Sequence, residues 1–172
     1  MSRTAEAAAR LRAHADTIER LELPLDEVPE GHEWTRARIL RHVVMSLVPY
    51  LQATENTVHR LKSGPQERQS WVGEKLEKVA GPNFNAPVPS KLKPAPTPTD
   101  PTVVKEFVEA HRKLAELADL ADKGDARASA IPVPLFPLVH VTPLDVFLFQ
   151  VAHADRHVAQ VLRPGHSSRT QD

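Results

Sequence analysis

Val141-Thr-Pro-Leu-Asp-Val-Phe-Leu-Phe-Gln-Val-Ala-His153-Ala-Asp-Arg-His157-Val-Ala-Gln-Val-Leu162 is the stretch whose reading decides the fold class. It carries its own start signal. Thr142 reads as a helix N-cap, Pro143 fills the first helical position, where a missing N–H is harmless, and Asp145 at the third position completes a capping-box variant. The run continues without a helix breaker to about Leu162, and Leu144, Leu148, Val151 and Val158 recur at the spacing of one buried helical face.

Working outward, three more segments share this character. Residues 3–23 form a predicted first helix whose buried face holds Leu11, Ala15 and Ile18, with Leu21 or Glu22 in the next turn. Pro24 and Pro29 close it. Thr35 is the predicted N-cap of a second helix reaching about Leu61, with Leu40, Val44, Leu47, Leu51 and Val58 as its stripe. Pro49 is expected to bend that helix. Asp100-Pro101 is a predicted start for a third long helix that buries Val104, Phe107, Val108, Leu114, Leu117 and Leu120 and ends near Lys123, before Gly124.

Between the second and third helices the composition changes. A short amphipathic helix with Trp71, Val72, Leu76 and Val79 fits within residues 65–80, followed by an extended run with prolines at 82, 87, 89, 94, 96, 98 and 101. So long a connection needs a job, and in a helical bundle the natural one is a crossover that makes its flanking helices parallel. Residues 130–141 read as a second proline-interrupted apolar loop, and nothing reads as a strand. The expectation is an all-α fold of four long helices in one domain, residues 1–163, with a flexible tail over 164–172.

The composition narrows the function. The chain has 172 residues, with 22 basic side chains balanced by 22 acidic ones, so it offers no net electrostatic footprint for nucleic acid or an anionic membrane. The first residues contain no apolar signal-peptide core, and the longest uncharged run is broken by Pro132, Pro134, Pro137 and Pro143. A cytoplasmic protein is the expectation. Cysteine is absent, which excludes disulfides, thiolate metal sites and a protein thiol nucleophile. Any metal must be held by His, Asp or Glu.

Among the nine histidines, His153 and His157 stand out. A spacing of four places both rings on one helix face, as two ligands of one ion require. Ala154 occupies the position where a zinc peptidase helix carries its catalytic Glu, so that chemistry is disfavoured. Asp155 lies on another side of the helix. The third ligand is expected from His42, which shares its face with Ile39, Met45, Ser46 and Pro49; the alternative is a half-buried histidine satisfied by a hydrogen bond. His14, His32, His59, His111 and His166 have polar neighbours and are expected at the surface, and His140 receives no role. Both the second and fourth helices are apolar on two sides, for the face of His153 and His157 also carries Val146 and Phe149. Two buried surfaces per helix suggest a bundle core on one side and a homodimer interface on the other.

Trp34-Thr-Arg-Ala-Arg-Ile-Leu-Arg-His42 resembles the Trp–Ser/Thr–…–His opening of the second helix in the DinB/YfiT-like superfamily. Residues 141–162 resemble its last-helix pattern, with HxxxH and an Arg before the second His. The resemblance extends over nearly the whole chain. It implies a four-helix bundle of up-down-down-up topology with a long crossover between helices two and three. It also implies a divalent metal, zinc or nickel, on His42, His153 and His157. Members of the superfamily include transferases that use bacillithiol or mycothiol. The resemblance therefore implies a low-molecular-weight thiol and a small-molecule electrophile as substrates, in detoxification or stress response. Trp34, Met45, Tyr50 and Phe149 are candidate pocket walls. A metal-dependent hydrolase and a non-catalytic, stress-associated metal-binding protein are the alternatives. With no cysteine in the chain, the sulfur of any thiol chemistry must arrive with a small molecule.

Overall fold

The computed structural model describes residues 1–62, 68–82, 87–95, 101–124 and 131–166. Five α-helices dominate: α1 (Arg3–Glu19), α2 (Arg36–Val58), α3 (Trp71–Ala80), α4 (Thr102–Ala121) and α5 (Pro143–Val161). The expected cap at Asp100 and the tail from residue 167 onward lie outside the described residues. Helix α5 begins as its sequence dictates. The Thr142 hydroxyl accepts from the Asp145 N–H at 3.1 Å, and the Asp145 carboxylate accepts from the Thr142 N–H at 2.9 Å. Asp145 also accepts from the N–H and hydroxyl of Ser70, the N-cap of α3, so one buried carboxylate ties two helix starts together. Helix α2 is continuous across Pro49.

Two small antiparallel sheets accompany the helices, so the fold is mostly rather than purely helical. β1 (Val28–Pro29) pairs with β4 (Gly165–His166), and β2 (Ile131–Val133) pairs with β3 (Phe136–Val141) as a hairpin. The hairpin replaces part of the loop expected over 130–141. Its prolines mask it in the sequence, but a two-stranded ladder consists of edges, where a residue without an N–H is tolerated. β4 in turn ties down the start of the expected flexible tail.

The four long helices touch in a cycle, α1 to α4, α4 to α2, α2 to α5 and α5 to α1. Side-chain pairs record the register. Arg12 pairs with Asp119, and Arg112 reaches back to Asp16 and Glu19. Arg41 pairs with Glu106 and Lys113 with Glu55. Gln150 donates to the Ser46 carbonyl, while the fully buried Arg36 donates to the Val161 carbonyl at 2.9 Å.

The buried apolar residues form two clusters. One is built on Leu11, Leu47, Leu114 and Phe147, and the other on Ile18, Leu40, Phe107 and Val161. Between them along the four helices comes a set of buried polar side chains: His14, Ser46, His111, Gln150 and His153. Helix α3 packs on α5, and β2 on α2. Part of the second apolar faces of α2 and α5 is thus covered within the chain. Among the described residues no helix is long and apolar enough to cross a membrane.

Candidate metal centre

His42 on α2 and His153 and His157 on α5 come together in the folded chain. One ring nitrogen from each lies within 4.8 Å of those of the other two, and all three residues are buried. Ring centroids are separated by 5.0 Å for His42–His153, 4.9 Å for His42–His157 and 4.6 Å for His153–His157. The geometry follows from local sequence. A spacing of four stacks His153 over His157 on one face of α5, and the facing of Ser46 with Gln150 and of Arg36 with Val161 sets His42 opposite them.

Neighbouring groups orient the rings. The His42 Nδ1–H donates to the Leu92 carbonyl at 2.8 Å, and the His157 Nδ1–H donates to Gln160 Oε1 at 2.7 Å. Each bond leaves Nε2 with its lone pair, as metal-binding histidines require. His153 Nε2 lies 3.2 Å from His42 Nε2. Two such nitrogens repel unless a proton or a cation lies between them. His153 Nδ1 is buried without a hydrogen-bond partner.

The rings are also held neutral. Burial is the first cause in each case. It pushes His153 well below the ordinary histidine value, with the charges of His157 and His42 adding to it. It lowers His157 to about 3 and lowers His42, with Arg156 pressing the same way on both. Three neutral imidazoles with paired Nδ1 protons on two of them fit a divalent ion of the zinc–nickel type.

The site opens onto two cavities. A chamber of about 240 Å³ is walled by Met45, Tyr50, Leu76, Val79, Phe136 and Phe149, with the three histidines at its edge. Burial raises the Tyr50 phenol to about 12, so at neutral pH it is a donor and not a base. A second, more open cavity of about 660 Å³ shares His157 and Arg156 with the chamber and is further lined by Trp34, Arg38, Lys93 and Gln160. All four expected wall residues therefore face a cavity, Trp34 the second one and the other three the chamber.

The remaining histidines divide. His59 and His140 are exposed and His32 is half-buried. His14 and His111, expected at the surface, are buried. His14 Nε2 bonds Asp155 Oδ1 at 2.8 Å, and Arg10 pairs with the same carboxylate, so Asp155 is engaged with α1 and not with the three-histidine cluster. The His111 Nδ1–H donates to the Phe107 carbonyl at 2.8 Å, and its ring stacks on Phe107 at 3.8 Å. His166 keeps its backbone place in β4. The sequence reading missed Gln160 and the Leu92 carbonyl. Gln160 had a signal, three residues after His157 on the same helix, whereas a carbonyl from a distant connection has none.

No curated protein and no solved structure matches the chain. The DinB superfamily pattern does, over residues 3–161, which is most of its length. With its paired helices and its three-histidine cluster, the chain belongs to the DinB superfamily.

Proposed function

We propose that this protein is a divalent-metal-dependent enzyme that transfers a low-molecular-weight thiol, of the bacillithiol or mycothiol kind, to an apolar electrophile in detoxification or stress response. The observation that carries the reading is the convergence of His42, His153 and His157 at the mouth of an apolar chamber. Zinc or nickel would be held by these three nitrogens, leaving a coordination position for a ligand. When bound, the ion supplies Lewis acidity that lowers the pKa of a coordinated thiol and favours the thiolate at neutral pH.

The chain's own groups do the rest. Leu92 and Gln160 hold two ligands in the binding tautomer. Met45, Leu76, Val79 and Phe149 exclude water and accept the hydrocarbon of the electrophile. Tyr50, kept protonated, can donate a hydrogen bond to negative charge that develops on it.

The proposed scaffold is a four-helix bundle of up-down-down-up order. The support is the pattern of pairs: residue numbers run oppositely between α1 and α4, together between α2 and α4, and oppositely between α2 and α5. The long connection between α2 and α4 serves as the crossover, and it also supplies α3 and the Leu92 carbonyl to the site.

A hydrolase would use the same cluster to activate water. It is less well supported, because the one carboxylate among the described residues lining either cavity is the exposed Glu33. The test is turnover of 1-chloro-2,4-dinitrobenzene by metal-loaded protein, with and without a low-molecular-weight thiol. Metal- and thiol-dependent turnover that disappears in His153→Ala is expected. Metal-dependent ester hydrolysis without thiol would favour the hydrolase, and no turnover of either kind would favour a binding protein.

A further inference from the structure

The buried polar layer between the two apolar clusters reaches inward from His153 to α4 and α1. Four of its polar atoms, His14 Nδ1, His111 Nε2, Gln150 Oε1 and His153 Nδ1, are buried with no hydrogen-bond partner among the described residues. Buried polar groups are ordinarily paired, with protein or with ordered water. These four are neighbours. The His14 and His111 rings meet edge to face at 6.2 Å, and Gln150 and His153 lie three residues apart on one face of α5. His111 is close enough to His153 to act on it electrostatically.

The bonds these side chains do make fix the character of each orphaned atom. The His111 Nδ1–H donates to the Phe107 carbonyl, and burial keeps the ring neutral, so Nε2 carries a lone pair. The Gln150 amide donates to the Ser46 carbonyl, and its Oε1 can only accept. The His14 Nε2–H donates to Asp155, which leaves Nδ1 an acceptor in the neutral ring. His153 must keep its Nε2 lone pair to hold a metal, which puts its own hydrogen on Nδ1. The layer thus holds one donor and three acceptors. Acceptors cannot satisfy one another. Water takes the hydrogen of His153 and supplies hydrogens to the rest, and about two to four such polar partners are what hold a water inside a protein.

We propose that His111 is a positioning residue for the metal centre: bound water in this layer accepts the His153 Nδ1–H and donates to His111 Nε2 and Gln150 Oε1, holding His153 in its metal-binding tautomer. The water layer would do for His153 what the Leu92 carbonyl and Gln160 do for His42 and His157. The inference rests on metal binding by the three histidines and is independent of the reaction that follows.

The test uses full-length protein with isotope-labelled histidine, loaded with zinc. Long-range proton–nitrogen correlations should show His153 with its hydrogen on Nδ1 and His111 with Nε2 bare. Nuclear Overhauser effects should join a long-lived water to the ring protons of both. Zinc affinity is then measured by competition with a chelator. His111→Leu fills the space without an acceptor and should bind zinc about tenfold or more weakly, the usual size of such an outer contact. His111→Gln returns an oxygen acceptor and should recover most of that loss, whereas a ring needed only for packing would not be rescued. Zinc binding by the wild type with no water effect at the two rings overturns the proposal and leaves the metal reading intact. So does a loss below about threefold in His111→Leu, or one that His111→Gln fails to recover. The water effects are read on the wild type, so they decide the matter even where His111→Leu does not fold. A wild type that binds no zinc overturns the metal reading and the positioning role together.

Discussion

Replacing Arg36 by Leu removes a charge with no contact to water. Its side chain is fully buried, with Nε donating to the Val161 carbonyl at 2.9 Å and Nη2 to the Arg163 carbonyl at 2.9 Å. Nη1 donates to the Pro24 carbonyl at 3.0 Å and to Glu27 Oε2 at 2.7 Å. One guanidinium thus joins the start of α2 to the end of α5 and to the connection after α1. The substitution leaves three carbonyls and a carboxylate without their donor. Glu27 is only three-quarters buried, so water recovers part of that loss. Removing one partner of a buried pair costs about 3–5 kcal/mol. With a urea dependence of about 2 kcal/mol per molar, the midpoint should fall by about 2 M at unchanged slope. The assay is urea unfolding followed by circular dichroism, with chelator present in both samples so that metal linkage does not enter. A shift below about 0.5 M at unchanged slope would refute the reasoning, because it would mean that the guanidinium is dispensable to the fold.

Two further predictions concern stability. A β-carbon at Gly73 would overlap the Asp145 carboxylate and come within 2.6 Å of the Asp145 β-carbon. Gly73→Ala should therefore destabilise by about 1–3 kcal/mol although alanine is the better helix former, and a raised urea midpoint would count against the packing described. His111 is buried and neutral, its pKa lowered by burial from the ordinary 6.5 to about 3. The unfolded chain then binds the extra proton, so this contribution is complete above pH 6.5 and is lost as pH falls toward 3. Between those limits the loss is about 1.4 kcal/mol per pH unit. His111→Leu should flatten the acid limb of apoprotein stability by about one proton, and an unchanged slope would sink that account.

The legible parts of the fold were those encoded locally. Thr142, Pro143 and Asp145 announce α5 in four consecutive residues, and the structure forms the reciprocal caps they imply. The HxxxH spacing likewise predicts its own geometry. The misreadings came from using chain neighbours where helix neighbours decide. His111 sits beside Arg112 and Lys113 in sequence, yet its ring lies over Phe107, one turn away. His14 follows the same pattern, with Leu11 and Ile18 on its side of α1. The second apolar faces of α2 and α5 were legible in the sequence, but not what packs on them. The cover within the chain comes from α3, the hairpin and the segment around Leu92, and no periodicity in α2 or α5 names those partners. The second cavity was invisible for the same reason, since Arg38, Lys93 and Arg156 come from three separated segments.

The central claim is that His42, His153 and His157 together hold one divalent ion. Metal content by inductively coupled plasma mass spectrometry, measured on the wild type beside His42→Ala and His153→Ala, tests it directly. The account predicts about one zinc or nickel per wild-type chain and strong loss in both variants, with folding checked by circular dichroism. Equal metal in all three proteins would contradict it.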